Sequence, residues 1–562
     1  MKGNIMRLAR AWALTHRLLV ATALGCFGLA GPAAFADDPV EPWTISDPAR
    51  RCEALDLINL ETVGDQPARI VQTNYHEAKP ASARDTLFFH KRGISQGNPT
   101  PAGMEVFPEH CLVEGYITPH VQFSLLLPPP SAWNDNFMLA ACDAWCGKVH
   151  LDAAVPGLYD GYATITNNGG HYSRAPFDGI WAYNDIPARE NFAYLANHTS
   201  AQIGKAIARA YYGSDVEYSY ITGFSKGGNA GLMTAQRYPE DFDGIISKAP
   251  VVPYNEKNAA HLSWMARAIY PENDYTPVMY SDKAPLIDEA VLAACDALDG
   301  VENSIIDDPS ACEFDPGVLL CKEGEMEIRA ECLTAEQVEA VRKIYSRPYN
   351  EDGEFYYPSG VEFGTESDWA RTILPVRGAD ELPFTLTAAT SGLRYMVFDE
   401  SPGPGFDWRD FDFERDQHLL AGTSEMMNPD DVDLTEFKAR GGKLIIVHGW
   451  ADVLISPVDT INYFEAVSEF MGGADEMAEF AQLYLVPGMH HGSGGHGPHL
   501  FDAQTALEKW VEEGVAPTEL LMTDEEDARV YRERIFYPYP ARSVYRGEGD
   551  PNLASSYMRV EE

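Results

Sequence analysis

Two largely apolar runs stand late in the chain, Lys443-Leu444-Ile445-Ile446-Val447 and Ala481-Gln482-Leu483-Tyr484-Leu485-Val486. Runs of this length predict buried strands. Each opens into a polar, glycine-bearing loop: His448-Gly449-Trp450-Ala451-Asp452 after the first, and Pro487-Gly488-Met489-His490-His491-Gly492-Ser493-Gly494-Gly495 after the second. An earlier strand-like run, Tyr218-Ser219-Tyr220-Ile221-Thr222, precedes Gly223-Phe224-Ser225-Lys226-Gly227, and a helix-like run, Asn229 to Arg237, follows. Strand, G-x-S-x-G turn and helix form the context of a nucleophile elbow. The glycines permit the tight turn because they carry no Cβ. The serine oxygen is then held clear of the sheet at the positive end of a helix.

A serine hydroxyl becomes a useful nucleophile only beside a histidine that takes its proton and a carboxylate that orients the histidine. In an α/β-hydrolase these follow in the order Ser, Asp or Glu, His, with acid and base in loops after late strands. Asp452 is the expected acid, with Asp459 a weaker alternative because it falls in the helix that should follow. The second loop offers His490 and His491 as neighbouring bases, with His496 and His499 further along. The residues alone leave the choice between His490 and His491 open.

Lys2, Arg7, Arg10 and Arg17 precede an apolar run from Leu18 to Ala30, and Ala34-Phe35-Ala36 follows. This predicts a signal peptide over residues 1–36, and hence an exported, periplasmic or secreted protein. The run is short for a membrane span, and no later stretch is long and apolar enough to be one, so no membrane partner is expected after cleavage. What remains fits one large domain with an insertion, or two to four ordinary ones. The formal net charge of −43 argues against nucleic acid or an anionic membrane as partner and reads as a solvated acidic surface. Beyond Cys26 there are eight cysteines. An even count in an exported chain predicts disulfides. Proximity favours Cys295–Cys312 and Cys321–Cys332, Cys52–Cys111 would tie down the N-terminal region, and Cys142 and Cys146 are left as a close pair.

With these residues placed, the chain resembles the tannase and feruloyl esterase family, exported α/β-hydrolases with a large lid. The resemblance is carried by the elbow and its helix through Tyr238-Pro239-Glu240-Asp241-Phe242-Asp243-Gly244-Ile245-Ile246, by His448-Gly449-Trp450-Ala451-Asp452, and by Val486-Pro487-Gly488-Met489-His490-His491. It covers nearly the whole chain beyond the leader and selects His491 as base. The family's cysteines before the nucleophile and after the base are Phe224 and Gly492 here, so the disulfide that would tie elbow to histidine loop cannot form. A second usual bridge near the C-terminus is also lacking, with Phe536 and Met558 near its positions. The oxyanion hole takes one backbone amide from Lys226 and a second from the loop after an early strand. That loop is glycine-rich in the family and reads Ala140-Ala141-Cys142-Asp143-Ala144-Trp145-Cys146-Gly147 here. A Cys142–Cys146 disulfide would fix it, with the second amide from Cys142 or Asp143. The Lys226 side chain is expected in solvent, with attraction of an acidic substrate as the alternative.

Ser225 and Asp452 lie much further apart than a simple α/β-hydrolase needs. The expected organisation is therefore a core over residues 37–250 and 434–562 with a lid inserted over 251–433. In the lid, Cys295-Asp296-Ala297-Leu298-Asp299-Gly300-Val301-Glu302-Asn303-Ser304-Ile305 departs from EF-hand spacing and by itself reads as a solvated acidic loop. The resemblance implies a structural calcium ion held by the side chains of Asp296, Asp299 and Asn303 and the carbonyls of Val301 and Ile305. Arg394 is a candidate for a substrate oxygen, balanced by a plain salt bridge, and Trp369 and Phe384 are candidate walls for a ring, with plain core residues as the alternative. The implied activity is hydrolysis of aromatic esters of gallate or hydroxycinnamate type, with phthalate or terephthalate esters as the nearest alternative. A non-catalytic binder on the same fold and an amide-cleaving enzyme are the other readings. The oligomeric state is open.

Overall fold

The apolar runs that precede the glycine-bearing loops become neighbours in one sheet. A computed structural model describes residues 41–81, 106–271, 275–322, 331–349, 352–353, 355–526 and 529–561; the expected leader lies outside them. Among the described residues the central sheet has nine strands. These are β1 (Ala68–His76), β2 (His110–Ile117), β3 (Val121–Leu127), β4 (Phe137–Ala140), β5 (Ala163–Asn167), β6 (Ser219–Phe224), β7 (Gly244–Lys248), β8 (Lys443–Gly449) and β9 (Ala481–Val486). Their order is β1-β2-β3-β5-β4-β6-β7-β8-β9. The pairs β1–β2, β2–β3 and β3–β5 are antiparallel, and all pairs from β5 to β9 are parallel. This is the α/β-hydrolase arrangement.

Parallel strands are covered on both faces, which is why they read as continuous apolar runs. Alternate residues serve opposite sides. Ile221, Ile245, Ile446 and Leu483 pack with Ile203, Ile207, Leu232 and Phe464 from helices on one face. Tyr220, Ile246, Ile445 and Tyr484 pack with Leu507 and Trp510 of helix Ala503–Glu513 on the other.

Strands β7 and β8 pair directly, Gly244 with Lys443 through Lys248 with Val447, although residues 249–442 separate them in sequence. That segment leaves the sheet, forms helices that include Leu262–Ile269, Ala284–Cys295, Ala335–Tyr345 and Phe384–Tyr395, and returns. Its apolar core, with Trp264, Trp369, Trp408 and Phe411, is continuous with Cys142 and Trp145 after β4, with Phe192, and with Met233 on the helix after β6. The excursion is thus packed onto the loops at one end of the sheet, where Ser225 also emerges.

Among the described residues four disulfides are formed: Cys52–Cys111, Cys142–Cys146, Cys295–Cys312 and Cys321–Cys332. The first joins helix Pro48–Ala54 to β2. On a chain-entropy estimate a loop of the length closed by Cys295–Cys312 contributes about 3 kcal/mol. Arg534 adds a buried fork between the excursion and the C-terminal strands, donating to both oxygens of Asp307 at 2.8 and 2.6 Å. No helix among the described residues is long and apolar enough to cross a membrane.

Candidate active site

Ser225 sits between β6 and helix Lys226–Arg237 with φ +60° and ψ −116°. This backbone conformation is rare for a side-chain-bearing residue and costs about 1–3 kcal/mol. The surroundings hold it. Ser225 N–H donates to the Lys248 carbonyl at 2.9 Å, and the Ser225 carbonyl accepts from Asn229 N–H at 3.0 Å. At Gly223 a Cβ would lie 2.2 Å from the Gly227 carbonyl oxygen, so the turn closes only around glycine. Lys226 opens the helix, and its backbone N–H is one of the orphan donors of a helix start.

Asp452 follows β8 and is fully buried. Its Oδ1 accepts the N–H groups of Leu454 and Ile455 at 2.9 and 3.0 Å. Its Oδ2 accepts from His491 Nδ1 at 2.6 Å and from His448 Nε2 at 3.2 Å. His448 Nδ1 in turn meets the Thr460 hydroxyl at 2.8 Å. Burial alone would push the Asp452 carboxyl up. The facing His491 and the hydrogen bonds from His448 and His491 outweigh it and hold the group well below the usual carboxylate range. Because His491 Nδ1 carries the proton given to Asp452, its Nε2 is the free lone pair.

The adjacent histidine is used differently. His490 Nε2 meets Ser367 Oγ at 3.0 Å, and burial lowers its pKa to about 4. His499 pairs with Asp524 at 2.7 Å. Asp459 lies on helix Pro457–Met471, turned to the hydroxyls of Tyr357 and Ser359. The structure therefore brings Asp452 to His491 and takes the alternatives elsewhere.

Where the disulfide of the resembling family is lacking, a ring has taken its place. Phe224 and His491 have centroids 4.5 Å apart at 50°. Gly492 has φ +77°, and a Cβ there would lie 2.1 Å from Phe224 Cε2. The phenyl ring fills the space that the missing Gly492 side chain leaves.

Ser225 and His491 line one cavity of about 550 Å³. Trp145, Phe177, Phe384, Val251 and Ile455 give it apolar walls. Asp143, Ala144 and Cys146 line it too, whereas Cys142 is buried behind them. Phe384 is thus a wall, and Trp369 is fully buried core, its indole donating to Thr365 Oγ1. Arg394 does not reach the cavity lining; its Nε donates to the Phe406 carbonyl at 2.9 Å. The Lys226 side chain, expected in solvent, is instead buried. Its Nζ donates to Asn229 Oδ1 at 2.6 Å and to the Ala193 carbonyl at 3.2 Å, and burial lowers its pKa to about 7. Two features escaped the sequence reading. His448 is a second donor to the acid, and Lys257, with Tyr254 and Asn258, lines the cavity. Lys257 stands beside Glu256 in a stretch that also carries Asn255, Asn258, His261 and Arg267, so nothing in the sequence singled it out.

The loop expected to hold calcium begins where helix Ala284–Cys295 ends. Asp296 accepts Asn303 N–H and Ser304 N–H at 3.1 and 2.9 Å, Asp299 Oδ1 accepts Val301 N–H at 3.0 Å, and Asn303 Oδ1 accepts Ile305 N–H at 3.0 Å. Asp299 Oδ2 is buried without a hydrogen-bond partner. Among the described residues no cluster of three or more His, Cys, Asp or Glu side chains is placed to hold a metal. The expected set has only two carboxylates and draws its other oxygens from an amide and two carbonyls.

Residues 106–560 match the tannase and feruloyl esterase family. The chain belongs to that family. It is 30% identical to an uncharacterized esterase of Xanthomonas campestris pv. campestris, over 83% of this chain and 89% of the relative. It is 29% identical to the mono(2-hydroxyethyl) terephthalate hydrolase of Piscinibacter sakaiensis, over 90% and 91%. The crystal structure of feruloyl esterase B from Aspergillus oryzae superposes with a TM-score of 0.74 at 25% identity, covering 91% of this chain and 100% of that one. Members of the family are carboxylic ester hydrolases, and so is this chain.

The Phe224–Gly492 contact generates a prediction. Gly492→Ala forces a methyl group into the Phe224 ring and strains a positive φ. It should lower kcat on a p-nitrophenyl ester by about tenfold or more, ~1.4 kcal/mol of barrier, with the circular dichroism spectrum retained. Phe224→Leu, which leaves room, should cost less. Steady-state kinetics of both variants check the ranking.

Proposed function

We infer that this chain is an exported serine esterase that hydrolyses aromatic acid esters of hydroxycinnamate or gallate type. The observation that carries the reading is the sharing of one aromatic-walled cavity by Ser225, on its strained turn, and His491, bonded to Asp452 at 2.6 Å. Four disulfides among the described residues support the export half of the reading.

In the mechanism, Ser225 Oγ attacks the ester carbonyl carbon while His491 Nε2 takes the hydroxyl proton. Asp452 keeps the imidazole in the required tautomer and stabilises the imidazolium. The backbone amide of Lys226 and one from the Cys142–Asp143 loop donate to the oxyanion, with Cys142–Cys146 holding that loop. Collapse of the tetrahedral adduct breaks the ester C–O bond, and the leaving alkoxide takes the proton from His491. Water then gives a proton to His491, and its oxygen attacks the acyl-enzyme. The acid departs, and the proton returns to Ser225.

A calcium ion belongs to the same proposal. Asp296, Asp299 and Asn303 by side chain, with the carbonyls of Val301 and Ile305, would hold it. The unpartnered, buried Asp299 Oδ2 fits an oxygen awaiting a hard cation. Bound there, the ion braces the excursion and takes no part in the chemistry.

Two expected outcomes test these readings. Purified protein should turn over methyl ferulate or methyl gallate, and Ser225→Ala should lower kcat by about 10⁴-fold or more; turnover that persists in the variant rejects the serine mechanism. Isothermal titration should find one calcium ion per chain, and at 100 times its Kd the ion should stabilise the fold by ~2.7 kcal/mol. Asp299→Ala should abolish the binding heat. A Tm indifferent to calcium and chelator counts against the site.

A further inference from the structure

A second cavity, of about 430 Å³, adjoins the catalytic one. Its volume falls in the range of about 300–1,000 Å³ common to small-molecule sites. Tyr116, His120 and Gln122 reach it from β2, the following turn and β3, and Tyr172, Trp181 and Asp185 reach it from the segment after β5. The two cavities meet along the chain: Tyr172 lines this one, and its neighbour Ser173 lines the one that holds Ser225 and His491. They also meet across it, because His171 Nε2 lies 2.8 Å from the carbonyl of Trp145, a wall of the catalytic cavity.

The backing of this second cavity is fixed. Asn168 Nδ2 donates to the carbonyls of His120 and His171 at 3.3 and 2.7 Å, and its Oδ1 accepts the N–H groups of Gln122 and Gly170 at 2.9 and 3.0 Å. One side chain thus ties the two contributing loops together. The Trp181 and His171 rings stack, with centroids 3.6 Å apart at 14°. Against this backing Tyr172 is 68% exposed and Tyr116 is 37% exposed. Among the described residues neither phenol hydroxyl, nor the side-chain amide of Gln122, has a hydrogen-bond partner. Asp185 gives one oxygen to Ala188 N–H at 3.1 Å and keeps the other.

These groups define what fits. Exposed ring faces suit the C–H face of a sugar ring, and side chains that donate and accept suit its hydroxyls. A flat hydrocarbon ring would leave the same polar groups unpaired. No lysine or arginine lines the cavity. Arg189, beside the lining residue Ala188, is fully buried and donates to the carbonyls of Ala182, Phe398 and Tyr395. An anionic ligand therefore meets Asp185 without a counter-ion, on a chain whose net charge is −43.

We propose that this cavity is a binding site for a neutral saccharide, which stacks on Tyr172 and Tyr116 and hydrogen-bonds to Gln122, His120 and Asp185. The binding does not depend on the serine-esterase reading. Where that reading holds, the step from Tyr172 to Ser173 sets the sugar beside the catalytic cavity, and an ester carried on a saccharide is held at both places.

The test titrates Ser225→Ala with xylohexaose, with cellohexaose and, as the charged control, with hexagalacturonate, by isothermal calorimetry. At least one neutral hexasaccharide should bind with a Kd of about 1 mM or below. Added to Ser225→Ala, Tyr172→Ala and Tyr116→Ala should each weaken that binding by about tenfold or more, and Tyr172→Phe, which keeps the ring, should weaken it far less. Tyr172 is mostly exposed, so its variants should keep the circular dichroism spectrum. Four results overturn the proposal: no heat with either neutral sugar, affinity unmoved in both alanine variants, hexagalacturonate bound as tightly as the neutral chains, or a loss in Tyr172→Phe as large as in Tyr172→Ala. A dimer in sedimentation that Tyr172→Ala dissolves assigns the face to a second copy of the chain and also overturns it. Ester turnover by the wild type without saccharide binding rejects this site alone, and saccharide binding without ester turnover rejects the esterase reading alone.

Discussion

The carboxylate of Asp452 is the constraint from which the site is built. It is fully buried, and a buried charge is tolerated only when paired and hydrogen-bonded. Four donors answer it: two backbone N–H groups of its own turn and two histidines. The turn is fixed by the end of β8, one histidine belongs to that strand, and the other comes from the loop after β9. One ion thus locks two strand ends together and sets the imidazole of His491. Removing one partner from such an arrangement typically costs 3–5 kcal/mol, so the orientation of the base is maintained by the stability of the fold.

The elbow side uses a different means to the same end. Backbone strain at Ser225 is held by hydrogen bonds to β7 and to the first helical turn. The contact between the two halves is then one of shape, the Phe224 ring seated over Gly492 and against His491. A phenyl ring on a bare glycine is a packing constraint with no covalent bond. A Cβ at 492 would clash with the ring, whereas a smaller side chain at 224 would only leave the space over Gly492 less well filled. The buried Lys226 ties the start of the helix to Asn229 and Ala193.

Much of this was legible in the sequence because it is local or periodic. Buried parallel strands leave apolar runs, so the strand ends carrying Ser225, Asp452 and the histidine loop stood out. Cysteines close in sequence, such as Cys295 and Cys312, were paired by proximity alone. What was not legible is where a side chain points after a long excursion. Arg394 and Lys257 are both cations between β7 and β8, and nothing in their spacing says that one caps the Phe406 carbonyl while the other meets the cavity. His448 sits inside a strand run and reads as one more core residue until β8 delivers it to Asp452. Lys226 reads as a surface charge beside the nucleophile because its burial depends on Phe192 and Tyr254, which the excursion and the preceding helix bring over it.

The most direct measurement is active-site labelling with a fluorophosphonate, followed by peptide mapping. The predicted result is one adduct per chain on Ser225, absent in Ser225→Ala and slowed by about a hundredfold or more in Asp452→Asn, which holds the imidazole in the wrong tautomer. Labelling at another residue, or at Ser225 with an unchanged rate in Asp452→Asn, would contradict a nucleophile activated through His491 and Asp452.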